Sequence, residues 1–595
     1  MIPPLLEINA IHAGYRDGTL TPADLFSALI KRMNDCPDTA VFIARMSDEE
    51  ILGRAQKLDL AYIDKLPLFG IPFVVKDNID VAGVPTTAAC PEFAYTPDAD
   101  ATAVAKLCAA GAILLGKANL DQFATGLNGT RSPYGAPRSV MNADYISGGS
   151  SSGSAVAVGA GLAAFSLGTD TAGSGRVPAM FNNIVGLKPS LGRISTNGVV
   201  PACKSIDCVS VFANSTADAI KVLGVAEGFD AADAYSRPAG NQALPAMPRL
   251  GILAPDERDF AGDDEAAKLY EAALAKAASL GWALSEIDYK PFLEIAKSLY
   301  GGAFVAERLA AIRLFFEAQP DAVNPVVREI IEGAKRFSAA DLFADIYRLQ
   351  ALKRHTAAEL AKCDALLLPT APTIYKVAEM QANPITLNAN LGIYTNFVNL
   401  LDLAGIAVPA GFRPDGLPFG VTFIGPAFSE SSLAAYADQL HRALGAGAGA
   451  KKLVPQTTYK PPKSDDVTIV VAGAHLSGMV LNHELLALDA KLIAAIKTAP
   501  DYQLFALPTT PPKPGLVRTP GFAGQGIDVE VWSMSAANFG KFVAELPAPM
   551  GIGKVTLADG SVHPGFLCEA HVLEGARDIT TFGGWRHYLN PEPAE

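Results

Sequence analysis

Three short stretches of the chain carry residues that could do covalent chemistry together: Lys76 in FVVKDN, Ser150 in SGGSSSGSA and Ser174 in GTDTAGSGRVPA. A lysine buried away from water gives up its charge more readily, and the neutral amine can act as a general base. If it cannot touch the nucleophile it needs a relay, which a bridging serine supplies. Two other readings of the Gly/Ser stretch compete. As a flexible linker it would be polar and solvated, yet it runs straight into a segment apolar on all sides, where loose backbone would leave buried polar groups unsatisfied. As a nucleophile elbow, Gly149, Ser151 and Gly153 would give G-x-S-x-G, which needs an acid and then a histidine later in the chain. Only His355 and His441 follow within the first part of the sequence, and neither lies in a Gly-rich loop. No Gly-Lys-Ser/Thr is present, which excludes a P-loop.

These residues need elements to hold them. TPADLFSALIKRM reads as an amphipathic helix, with Thr21 as N-cap and Pro22 at its first position. LFGIPFVVKDNIDV reads as a buried strand, residues 101–110 as an Ala-rich helix and AILLGKANL as another strand. This alternation predicts a parallel or mixed sheet covered by helices on both faces. Residues 148–163 pass from a Gly/Ser loop into a buried helix, helical periodicity returns over 264–277 and 292–360, and DALLLPTAP and PFGVTFIGP are strand-like. The sheet-building segments thus enclose a helical insertion. LVPQTTYKPPKSDD, with Pro461 and Pro462, marks a linker. The expected division is a domain over 1–455, a linker over 456–466 and a second domain over 467–595. Extended runs such as VTIVVAGAHLSG, GIDVEVWSM and GKVTLADGSVHPGFL predict α+β with antiparallel strands for the second domain, and neither unit shows a tandem repeat.

Composition narrows the class. Of 595 residues, 50% are hydrophobic and 18% charged, which excludes a disordered or coiled-coil chain. A net charge of −13 gives no electrostatic footprint for nucleic-acid phosphates. The seven cysteines show no C-x-x-C pairing, and the five histidines of the second unit (His475, His483, His563, His571, His587) show no H-E-x-x-H spacing, so neither a disulfide framework nor a zinc site is expected. MIPPLLEINA lacks the basic and apolar regions of a secretory leader, and the longest apolar stretch, 155–167, is shorter than the roughly 20 residues that span a bilayer. A soluble, cytoplasmic protein is expected.

GIPFVVKDN, GGSSSGSA, GTDTAGSGR and GLKPS fall between Gly70 and Gly198 in the order and spacing of the amidase signature family of Ser-cisSer-Lys hydrolases, which the chain resembles. The resemblance implies an α/β amidase-signature core, a mixed sheet covered by helices. It also implies Lys76 as base, Ser150 as a bridging serine joined to Gly149 by a cis bond, and Ser174 as nucleophile. The backbone N–H groups of Thr171, Ala172, Gly173 and Ser174 would form the oxyanion hole, with Asp170 and Arg176 in support. The chain departs from the common family pattern at Ser152, Ala172 and Gly175, and a left-handed backbone at Ala172 would be strained.

ANLDQFATGLNGTRSPYGAPRS and the second unit, from VVAGAHLSGM through VEVWSM, FGKFVAELPAPMGIG and GFLCEA to ARDITTFGGW, resemble the allophanate hydrolases within that family. This implies allophanate as substrate, no cofactor and no metal, and a role in urea degradation and nitrogen metabolism. It further implies a homodimer and a smaller C-terminal α+β domain resembling gamma-glutamyl cyclotransferases that decarboxylates N-carboxycarbamate. No biotin-carboxylase or biotinyl segment is seen, so a separate urea carboxylase or a biuret-producing enzyme would supply the substrate. Tyr300 and Arg308 match the family's carboxylate-binding pair. On one continuous helix, eight residues apart, they would lie about 12 Å apart along the axis; the alternative is a core tyrosine beside a surface arginine paired with Glu307. His475, after Gly473 and Ala474 at a strand end, is the candidate for the second site. Other readings are a broad-specificity amidase, the amidase component of an amidotransferase, or a non-catalytic assembly protein on an amidase fold.

Overall fold

The computed structural model describes residues 2–238, 240–461, 466–510 and 513–589. Residues 462–465 of the expected linker and 590–595 of the second domain lie outside them. The chain divides into two compact units, residues 1–461 and 462–595. Gln456 and Thr457, which the sequence places in the linker, donate their backbone N–H groups to the Glu7 carboxylate at 2.8 and 2.9 Å, and Tyr459 hydrogen-bonds Ser431 at 2.8 Å. These residues are therefore part of the first unit.

The first unit is built on an 11-stranded mixed sheet. From one edge the strands are Phe42–Arg45, Ile113–Ala118, Pro72–Lys76, Phe165–Asp170, Cys208–Ala213, Val185–Lys188, Ala404–Phe412, Pro418–Gly425, Ala365–Pro369, Arg249–Leu253 and Ala283–Ile287. Pro72–Lys76 runs parallel to both its neighbours, Ile113–Ala118 and Phe165–Asp170. Every residue of these three strands is buried, as runs of Val, Ile, Leu and Phe flanked by turns require. Thr102–Ala109 connects the first pair and Ser152–Gly159 leads into the third strand. All eight residues of Ser152–Gly159 are buried, as its apolar-all-round composition requires. Thr21 caps Pro22–Asn34 in a full capping box with Asp24.

The second unit has its own core around Ile469, Tyr502, Val531, Trp532 and Phe566. Its five-stranded sheet orders Lys491–Lys497, Asp528–Ser535, Asp466–Val471, Val562–Cys568 and Met550–Thr556; the pairings are antiparallel except where Asp466–Val471 meets Val562–Cys568. Among the described residues no helix is long and apolar enough to cross a membrane.

Candidate active site

Lys76 ends its strand with a fully buried side chain. Its Nζ lies 2.8 Å from Ser150 Oγ and 2.7 Å from Thr169 Oγ1, on the parallel neighbouring strand. Ser150 Oγ lies in turn 2.9 Å from Ser174 Oγ, and Ser174 Oγ 3.4 Å from the Gly126 carbonyl. The Gly149–Ser150 bond is cis. Burial drives the Lys76 pKa down to about 7 against the opposing pull of the Asp121, Asp207 and Asp170 carboxylates. Ser151, the alternative nucleophile, commits its hydroxyl to the Thr169 backbone, donating to the carbonyl at 3.1 Å.

Asp121, which sequence reasoning missed, assembles the surrounding loops. Its carboxylate accepts the N–H groups of Asn128, Gly129 and Arg131 at 3.2, 3.0 and 3.0 Å, and its own N–H donates to the Ser150 carbonyl at 3.0 Å. A methyl group at Gly149 would lie 2.2 Å from Asp121 Oδ2, so only glycine fits there.

Asp170 and Arg176 form a fully buried ion pair, Nε to Oδ2 at 2.9 Å and Nη2 to Oδ1 at 3.0 Å. Burial opposes the charge of Asp170, but the Arg176 guanidinium wins and holds the carboxyl below its usual range. The same carboxylate accepts the Gly173 N–H at 2.9 Å and the Gly175 N–H at 3.0 Å. The Gly173 N–H, one of the four expected oxyanion donors, is thus engaged by Asp170. The left-handed backbone falls on Gly173, at φ 138°, and not on Ala172, so Ala172 is unstrained. Thr171 Oγ1 donates to Asp207 at 2.5 Å, and burial raises the Asp207 pKa to about 6.

The single-helix geometry expected for Tyr300 and Arg308 is corrected. Lys290–Gly301 ends at Gly302, whose backbone is extended at φ −107° and ψ −176°, a short 3-10 turn covers Ala303–Val305, and Ala306–Ala318 follows. The break brings Arg308 Nη2 within 2.8 Å of Tyr300 Oη and its guanidinium 4.7 Å from the ring centre. Arg308 is 2% exposed, and among the described residues no carboxylate pairs with it; Glu307 accepts instead from the Ser205 N–H and hydroxyl. Arg308 Nη1 contacts Thr125 Oγ1 at 3.0 Å, and the equally buried Arg131 reaches the Thr125 carbonyl at 2.8 Å. Arg131 and Tyr300 line a cavity of about 390 Å3 together with Asn388 and Asn396. Asp207 had no motif to mark it, while Thr169 and Arg131 lie in the GTDTAGSGR and GTRSPYG segments without having been singled out.

The amidase family profile matches residues 24–434, and the allophanate hydrolase C-terminal domain profile matches residues 467–590. The chain belongs to the amidase family. This amidohydrolase is 42% identical to a urea amidolyase of Lachancea kluyveri over 96% of its own length and 33% of that protein's. It is 34% identical to a glutamyl-tRNA(Gln) amidotransferase subunit of Symbiobacterium thermophilum, over 72% of this chain and 95% of the other. A selenomethionine-substituted allophanate hydrolase of Kluyveromyces lactis superposes with a TM-score of 0.73 at 40% identity, covering 98% of each chain. The chain spans about a third of the length of the curated urea amidolyases it matches, 33% and 32% in two cases.

In this amidase's second unit, His475 lies just past the strand Asp466–Val471 and lines a cavity of about 480 Å3, with His483, Glu484, Lys513, Phe542 and Phe566. His563 bonds Thr468 and Ser561, His571 faces Glu569 and His587 faces Asp528, all away from that cavity's lining.

Proposed function

We propose that the first unit hydrolyses allophanate through a covalent acyl-enzyme on Ser174, and that the second unit decarboxylates the product. The observation that carries this reading is the unbroken buried chain Lys76–Ser150–Ser174, at 2.8 and 2.9 Å, with Lys76 poised near neutrality. Ser174 Oγ attacks the terminal carbamoyl carbon while its proton passes to Ser150 and that of Ser150 to Lys76. The N–H groups of Thr171, Ala172 and Ser174 face the developing oxyanion. As the C–N bond breaks, the relay returns a proton to the leaving nitrogen and ammonia departs. Water, activated by the same base, then releases N-carboxycarbamate. Loss of carbon dioxide from this dianion, with uptake of one proton, leaves carbamate, which breaks down to ammonia and carbon dioxide.

An anionic substrate is supported by Arg308 and Arg131, two buried guanidiniums around Thr125 with no carboxylate ion-paired to either among the described residues. Buried charges call for a partner, and an incoming carboxylate would provide it. Thr125 adjoins Gly126, whose carbonyl touches Ser174, so this positive region borders the nucleophile. Urea carboxylase activity or a biuret-producing enzyme would supply allophanate. The likeness to the amidotransferase relative favours a second reading, a broad-specificity amidase or the amidase component of an amidotransferase. Ammonia release from allophanate, biuret, malonamate and acetamide separates the two. The anionic amides should exceed acetamide by about 100-fold in kcat/KM, equivalent to roughly 2.7 kcal/mol. Equal rates would favour the second reading.

A further inference from the structure

The imidazole of His475 is held on three sides. Its ring stacks on Phe566 at 5.3 Å and 14° and meets the edge of Phe542 at 5.2 Å and 79°. Its Nε2 lies 2.9 Å from Glu484 Oε2. The backbone is fixed as well: the His475 carbonyl accepts from Asn482 Nδ2 at 3.0 Å, and Leu481 N–H donates to the Ala474 carbonyl at 2.9 Å. Gly473 is required in this turn, because a methyl group there would lie 2.1 Å from Pro514 Cγ. A carboxylate oxygen only accepts, so Nε2 must carry the hydrogen in that contact. In the neutral ring the lone pair then falls on Nδ1, which has no protein partner among the described residues.

We infer that Glu484 is the positioning residue of the second unit's site: it fixes His475 as the Nε2–H tautomer and leaves Nδ1 as the atom that moves the proton. This rests on reading the second unit as a decarboxylase. In the protonated ring Nδ1–H donates to the nitrogen of N-carboxycarbamate as the C–N bond to one carboxylate breaks. The bonding pair stays on nitrogen, the carboxylate leaves as carbon dioxide, and the Nε2–H stays on Glu484. Nδ1 then regains a proton from water, so each turnover consumes one proton and no other reactant. Lys513, on the same cavity wall, supplies a cation beside the dianion.

The test uses the full-length chain labelled with 15N-histidine, with the His475 resonance identified by its loss in His475→Asn. The expected spectrum of the neutral ring has Nε2 protonated and Nδ1 bare; Glu484→Gln, whose amide oxygen still accepts, keeps that pattern, and Glu484→Leu loses it. In parallel, decay of N-carboxycarbamate followed by isotope-resolved NMR should slow to the spontaneous rate in both Glu484→Leu and His475→Asn, while Glu484→Gln recovers to within about tenfold of the parent. Circular dichroism checks that each variant is folded. An Nδ1–H tautomer in the parent chain, or a tautomer or decay rate unchanged in Glu484→Leu while His475→Asn slows decay, would overturn the role of Glu484 and leave the decarboxylase reading standing. Unaltered decay in His475→Asn with a Glu484-dependent tautomer would instead remove that reading, together with the proton transfer through Nδ1, and keep Glu484 as the group that orients the ring.

Discussion

At the scale of single residues, the proposed mechanism makes the reaction depend on the state of Lys76. With its pKa lowered to about 7, the amine is neutral above that pH and protonated below it, and only the neutral form can accept a proton. On malonamate, kcat/KM should therefore fall about tenfold per unit as pH drops below roughly 7 and level off above it. A profile flat across that range, measured by initial rates of ammonia release, would remove Lys76 as the base. The contact of Lys76, Ser150 and Ser174 was legible because each lies in its own short motif. Thr169 shares the motif of Ser174, but its contact with Lys76 was not legible, because it arises only through the parallel pairing of two strands nearly a hundred residues apart in sequence. The engagement of the Gly173 N–H was equally hidden, since sequence does not show which backbone donors a neighbouring carboxylate has already taken.

At the scale of elements, the interruption at Gly302 creates the Tyr300–Arg308 contact. A methyl group at Gly302 would lie 2.6 Å from Asp345 Oδ2, and that oxygen accepts the Ala303 N–H at 2.6 Å. Gly302→Ala should move the start of Ala306–Ala318, raise KM for malonamate about tenfold and change acetamide turnover little. Steady-state kinetics on the two substrates would check this, and equal losses on both would indicate a general collapse of the site. Periodicity over 292–360 reads as helix and the structure is helical over most of it, but a Gly-Gly pair in such a run does not say whether the helix continues or turns. Alternation likewise foretold a parallel or mixed sheet, and the sheet is mixed. Its strand order depends on pairings such as Val185–Lys188 with Ala404–Phe412, which no local pattern encodes.

At the scale of the whole molecule, two cores are built from separate stretches of sequence, one from residues before 461 and one from residues after 466. Lys76, Ser150, Ser174, Tyr300 and Arg308 all belong to the first unit. A chain ending after Pro461, which keeps Gln456, Thr457 and Tyr459 on their partners, should fold and release the first ammonia from allophanate at a rate close to that of the full chain, while N-carboxycarbamate accumulates. A folded fragment that releases none would mean that the first site borrows from the second unit. The Pro-rich segment made the presence of two units legible, and the net charge argued against a nucleic-acid partner. Sequence did not reveal how far the first unit holds the segment before Pro461, because Glu7 lies some 450 residues away from it.

The most direct test of catalysis by Ser174 is peptide mass spectrometry of the chain quenched with acid during turnover of malonamate. The expected result is a malonyl ester on the peptide containing Ser174, absent from Ser174→Ala, which also releases no ammonia. A malonyl ester on the peptide containing Ser151, or ammonia release undiminished in Ser174→Ala, would contradict it.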